Sequence, residues 1–178
     1  MGKCLKLGVL LTACVLAFGC AARQQQNSPQ DETLRVERFR RSYEAAFDNK
    51  QQEASQQLIS KARSALGTPY VSGGSSPGGF DCSGFVSYVY NNCGVGWSFG
   101  RLSAEGIRQI CSYVSPADAK PGDLIFFEKT YNTTGASHIG IYVGNHTMLH
   151  CGDPIQYTSI SSDYWQSHFL QFGRLAPP

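Results

Sequence analysis

Apolar positions change their spacing several times along the chain. Leu7 to Gly19 is a nearly continuous apolar run behind Lys3 and Lys6. It is too short to cross a hydrocarbon core of ~30 Å as a helix and has the form of a signal-peptide core. Gln24 to Gln30 is polar. Val36, Phe39, Tyr43 and Phe47 then recur at spacings of three and four, with Arg35, Glu37, Arg38, Arg40, Arg41 and Glu44 between them. This predicts an amphipathic helix from Asp31 to about Lys50. Leu58, Ile59, Ala62, Ala65 and Leu66 predict a second helix from about Gln52 to Leu66, stopped by Gly67.

Ser72 to Gly79 reads as a loop. Phe85, Val86, Val89 and Tyr90 keep helical spacing behind Asp81, a good N-cap, which puts Cys82 at the first helical position. Ser103 to Tyr113 is expected to be a short helix. From Leu124 onward the period falls to two. Leu124 to Phe127, His138 to Val143, Thr147 to Cys151, Ile155 to Ile160 and Phe169 to Leu175 predict strands. Pro121-Gly122-Asp123, Gly144-Asn145 and Gly152-Asp153-Pro154 are the turns. Helices first and an antiparallel meander after make an α+β fold, with the N-terminal helices packed on an antiparallel sheet. The chain has no internal repeat.

Composition narrows the picture. The 178 residues are 42% hydrophobic and 16% charged, enough apolar content for one packed domain with an appendage. A net charge of +2 makes no electrostatic case for nucleic acid. Seven cysteines allow a disulfide scaffold, a metal site or separate single-purpose thiols. The apolar run ends in Leu16-Ala17-Phe18-Gly19-Cys20, similar to a bacterial lipobox in which Cys20 is acylated. Leu11-Thr12-Ala13-Cys14 is a second, shorter match, and a plain secretory signal is the alternative to both. Export would place the chain in an oxidising compartment, where Cys93 and Cys111 could bridge or stay free thiols. The arginine-rich helix near the anchor either docks on the domain or serves a membrane surface or partner. Two sequons, at Asn132 and Asn145, are read as chance.

Three residues carry candidate chemistry. Cys82 sits just inside a helix N-terminus beneath a glycine-rich loop, where the helix dipole favours thiolate. Gly84 keeps the approach to it open. His138 alternates with Gly140 and Tyr142 on the face opposite Ile139, Ile141 and Val143. His150 lies on the next strand, across the Gly144-Asn145 turn, where antiparallel pairing could bring it level with His138. Nucleophile, base and orienter would make a cysteine-hydrolase triad; a pair of satisfied surface histidines is the alternative. A metal centre has little support: there is no CxxC or HExxH, and His150 and Cys151 point to opposite faces of a strand.

Tyr70, Gly73-Gly74, Asp81-Cys82-Ser83-Gly84-Phe85, Pro121-Gly122-Asp123-Leu124, Ser137 to Gly144 and His150 together resemble the NlpC/p60 family of cell-wall peptidases. His150-Cys151-Gly152-Asp153-Pro154-Ile155 and Tyr164-Trp165 further resemble the peptidase domain of wall hydrolases of conjugative elements. The resemblance implies a papain-like α+β fold and hydrolysis of peptidoglycan stem peptides at the γ-D-Glu to diamino-acid bond. Carried over, Cys82 is nucleophile, His138 base and His150 orienter. Tyr70, Asp81 and Ser83 would hold substrate, with Asp81 suited to a free L-Ala amine. No cofactor is implied.

The expected organisation is a lipoprotein signal peptide over 1–20, a polar tether and helical arm over 21–50 and a catalytic domain over 51–178. The expected partners are stem peptides and, through a lipid anchor, a membrane; the protein would be an extracytoplasmic monomer in a bacterial envelope. The alternatives are a catalytically idle wall-binding lipoprotein and a thiol amidase or acyltransferase of the same fold.

Overall fold

The computed structural model describes residues 28–178. The signal peptide, Cys14 and Cys20 lie outside the described residues. No described helix is long and apolar enough to cross a membrane. The described residues divide into two units between Phe39 and Arg40.

Helix α1 runs unbroken through Pro29–Arg63. The two helices expected on either side of Lys50 are one, because no Gly or Pro stands between Asp31 and Arg63 to end the first. Ser28 caps its start, the hydroxyl accepting from the Asp31 amide at 3.2 Å. In the second unit, Ala54, Leu58 and Ala62 are the buried face of α1. Tyr43 and Phe47, expected to dock, are 65% and 51% exposed. The buried stripe is therefore set by Ala54, Leu58 and Ala62, four residues apart, and not by the aromatic row.

The glycine-rich loop holds a small hairpin, β1 (Ser75–Ser76) paired with β2 (Gly79–Phe80). Helix α2 follows at Cys82–Asn92. A Cβ on Gly84 would lie 2.0 Å from the Gly74 carbonyl oxygen. Gly84 thus lets α2 tuck under the loop; the close approach it permits is that of backbone, not of ligand. Helix α3 spans Ala104–Ile110, capped by Ser103. Cys111 to Tyr113, expected to continue this helix, leave it, and Ser112–Val114 forms strand β3. Ser112, Tyr113 and Val114 pair with the last strand instead.

A six-stranded sheet is completed by β4 (Leu124–Glu128), β5 (Ala136–Gly144), β6 (Thr147–Cys151), β7 (Ile155–Ser159) and β8 (Phe169–Arg174). Its order is β3-β8-β4-β5-β6-β7, with every pairing antiparallel. Alternation divides its side chains. Leu124, Phe126, Ile139, Ile141 and Leu149 share the main core with α1, α2 and α3. Ile125, Phe127 and Met148 form a second cluster with Phe172 and with Trp165 of the short helix α4 (Asp163–His168). This is the expected α+β arrangement, helices against an antiparallel sheet.

The Pro121-Gly122-Asp123 turn is a brace. Its backbone exchanges hydrogen bonds with Tyr142 at 2.7 and 2.8 Å, and the Asp123 carboxylate takes both Nε and Nη2 of Arg174. Cys93 and Cys111 are separate thiols.

Candidate active site

Strands β5 and β6 turn at Asn145-His146, both with positive φ, as a two-residue hairpin of this hand requires. Gly144 (φ +90°) and an irregularity between Tyr142 and Gly144 adjust the register. The result differs from expectation by two residues along β5. His150 is level with Gly140, and His138 is its diagonal neighbour. The two imidazoles still meet, with His138 Nε2 2.8 Å from His150 Nδ1. Gly140 makes this possible: a Cβ there would lie 3.1 Å from the His150 Cβ, in the space over which the rings close.

Burial, with His150 a lesser cause, lowers His138 to a pKa of about 3. Burial lowers His150 to about 4. Both rings are therefore neutral near pH 7. Since Nε2 of His138 is engaged, Nδ1 is the nitrogen left to receive a proton.

Asp81 caps α2 as expected, its Oδ1 accepting from the Gly84 amide at 2.7 Å. Cys82 therefore stands in the first turn. Pairing of β5 with β6 stops at Gly140 and His150. One residue beyond, the Ile139 amide is directed at the Cys82 sulfur, as is the Ser83 amide. The candidate nucleophile thus faces the residue that follows His138, at the point where the two strands part. The expectation that the helix terminus lowers the thiol pKa is not met. Burial first, and the Asp81 carboxylate second, push it up, against the two amides and Arg101. At neutral pH the resting site holds a thiol and a neutral imidazole pair.

Tyr70 is half exposed on a bridge to Phe80, within electrostatic reach of Cys82, Asp81 and Cys151. Ser83 Oγ donates to Asp81 Oδ1 at 3.1 Å. Both Asp81 oxygens are occupied: Oδ2 accepts from the Gly73 amide at 3.0 Å and pairs with Arg101 Nη2. Arg101 Nη1 also donates to Ser83 Oγ at 2.8 Å. The structure thus joins Tyr70, Asp81, Cys82 and Ser83 on one side and His138 with His150 on the other.

Three neighbours were not read from the sequence. Arg101 sits in an irregular stretch with no periodic signal. Thr158 Oγ1 lies 2.9 Å from His150 Nε2. Trp165 packs on both imidazoles, with ring centroids 5.3 Å from His138 and 5.4 Å from His150. The Tyr164-Trp165 pair stood out in the sequence, but nothing there placed it. No group of three metal-binding side chains occurs among the described residues.

The model of the NlpC/P60 family matches residues 67–174. A relative in Bacillus subtilis named probable peptidoglycan endopeptidase LytE is 43% identical over 114 residues, 64% of this chain and 32% of its own. The bifunctional muramidase/DL-endopeptidase CwlT of the same organism is 38% identical over 120 residues, 66% of this chain and 36% of its own. The chain thus spans about a third of the length of these relatives. Among solved structures, a Staphylococcus aureus protein described as similar to lipoprotein, NLP/P60 family, superposes with a TM-score of 0.64 at 40% identity. The match covers 68% of this chain and 41% of that one.

Proposed function

The chain belongs to the NlpC/P60 family, and on that footing we propose that it is a papain-like cysteine endopeptidase that hydrolyses peptidoglycan stem peptides, at the bond between γ-D-Glu and the diamino acid. The observation that carries this reading is the His138–His150 contact at 2.8 Å, formed where the amide of the next residue, Ile139, faces Cys82. A thiol, a base with one free ring nitrogen and a partner for the other nitrogen are what acyl transfer through a thioester needs. The names of the two relatives, both endopeptidases and one a DL-endopeptidase, support the substrate and the bond.

In this mechanism the Cys82 sulfur attacks the γ-carbonyl carbon as its proton passes to His138 Nδ1. Because the resting pair is neutral, proton transfer accompanies attack. The tetrahedral intermediate collapses with transfer of that proton to the departing amine of the diamino acid. A thioester remains. Water then gives a proton to His138 and attacks the acyl carbon, and the released sulfur recovers the proton. Tyr70 borders the reacting thiol, and Ser83 lines the same edge. Asp81 meets a substrate amine by exchanging Arg101 for it, since both its oxygens are already engaged.

The same reading places the protein outside the cytoplasm, anchored through Cys20, with residues 21–50 as tether and arm. The lipoprotein description of the Staphylococcus aureus relative supports the anchor. The test is incubation with defined stem peptides followed by mass spectrometry. The expected product pair is L-Ala-γ-D-Glu and a fragment beginning at the diamino acid. Intact peptide that co-sediments with the protein would mean binding without hydrolysis. Cleavage elsewhere would leave a thiol hydrolase of another specificity.

A further inference from the structure

His150 has two polar neighbours, and the second has no place in the mechanism above. Its Nδ1 meets His138; its Nε2 lies 2.9 Å from Thr158 Oγ1. Thr158 is on β7, where it pairs with Met148, so it is the diagonal neighbour of His150 on the same sheet face. We propose that Thr158 is a positioning residue, the terminal acceptor of a relay that holds both histidines in the Nε2–H tautomer. The proposal rests on His138 being the base.

Each neutral imidazole has one N–H and one bare nitrogen. The contact between His138 Nε2 and His150 Nδ1 therefore has two settings. In the first, His138 donates Nε2–H to His150 Nδ1. His150 must then carry its proton on Nε2 and donate it to Thr158 Oγ1. His138 Nδ1 is left bare, ready for the thiol proton. In the second, every donor is reversed. Thr158 donates to His150 Nε2, His150 donates to His138, and His138 Nδ1 is already protonated. That setting cannot accept a proton from Cys82.

Two considerations select the first setting. Once His138 is imidazolium, its Nε2–H must go to His150 Nδ1, so the charged stage exists only with Thr158 accepting. Thr158 is also only partly buried, so its own hydroxyl proton can go to solvent while its lone pair faces the buried ring. His150 is 4% exposed and has no such freedom. A buried ring N–H with no acceptor is costly, and Thr158 removes that cost. Periodicity could not reveal this, because a Thr on a strand is ordinary.

The test is a long-range ¹H–¹⁵N spectrum of histidine-labelled full chain near pH 7, where both rings are neutral. His138 and His150 should both appear as Nε2–H, in the unaltered chain and in Thr158→Ser. Thr158→Val should populate the Nδ1–H form of His150. With it, kcat on stem peptides should fall between about 10- and 100-fold, the range for loss of a residue that orients a reacting group through another. KM should stay within about twofold, because Thr158 meets no substrate. Thr158→Ser should recover most of kcat. An Nδ1–H signal for His150 in the unaltered chain overturns the proposal, even if no variant folds. So does a Thr158→Val chain with unchanged tautomers and rate. The expected tautomers in a chain that cleaves no stem peptide would support the relay and overturn the functional reading instead.

Discussion

The indole of Trp165 lies over the imidazole of His138, with ring centroids 5.3 Å apart and planes inclined by 32°. It keeps water from the ring. That is part of the burial that holds His138 at about 3, far below the ordinary imidazole value of 6.5. In the proposed mechanism, activity at low pH is lost when neutral His138 is lost. The lowered pKa therefore keeps kcat/KM level as pH falls through 6.5, with the decline only toward pH 3 to 4. Trp165→Ala admits water, makes the charged ring less costly and moves that limb upward, toward 6.5. At pH 5 the variant should lose activity that the unaltered chain keeps, while Trp165→Phe shifts the limb less. Superimposable pH profiles for the unaltered chain and Trp165→Ala would remove the indole from this role.

Cys82→Ala should abolish cleavage of purified muropeptides while leaving the thermal unfolding curve within a degree or two. Because burial and Asp81 push the thiol up, alkylation of Cys82 should be slow at pH 7 and accelerate beyond the ordinary thiol value of 9.0. Peptide mapping after iodoacetamide treatment at several pH values measures this. Fast labelling of Cys82 at pH 6 would show a preformed thiolate and a different resting state.

The two histidines should differ in cost. His138→Ala removes the proton acceptor, and turnover should fall to background. His150→Ala removes only the partner of Nε2, and should leave measurable turnover, since a neutral imidazole stabilises the cation less than a carboxylate would. Single-turnover rates on a stem tetrapeptide decide it. The reverse order would mean that the roles are exchanged.

Asp123 is 2% exposed and takes Arg174 Nε at 2.5 Å and Nη2 at 2.7 Å, with the Lys120 amide at 2.7 Å. Asp123→Ala leaves a partly buried guanidinium with only the Asp118 carbonyl oxygen as acceptor and should cost about 3 kcal/mol in urea unfolding. Asp123→Asn keeps acceptors for the amide and the guanidinium and should cost less. A loss under ~1 kcal/mol in the alanine variant would show that the turn holds β5 without the ion pair.

Much of the sheet is written in local pattern. Strict alternation in His138 to Val143 marks the face on which His138 lies, and the cap at Asp81 marks where α2 begins. Alternation does not say which residue stands opposite which. His150 is level with Gly140 because the turn centres on Asn145-His146 and carries an irregularity at its β5 side. Nor does pattern show contacts that arrive from elsewhere in the chain. Arg101 comes from a stretch without period, and Thr158 and Trp165 reach the histidines from later elements. Their side chains look like ordinary surface choices until the fold brings them in. The thiol misled for a related reason: a helix terminus is a local feature, whereas the burial and the Asp81 carboxylate that outweigh it belong to the assembled site.

The hairpin that carries both histidines also constrains how such a chain can vary. His138 and His150 are 12 residues apart and face the same side only because the count around Asn145-His146 is what it is. Side chains alternate faces, so one residue gained or lost on either arm would turn His150 to the core face that Leu149 and Cys151 now fill, and turn those two out of it. Length is therefore a quantity this turn cannot drift in. The connection from Lys129 to Gly135, which enters β5 from the other end, carries no part of the relay and is where insertions would be absorbed.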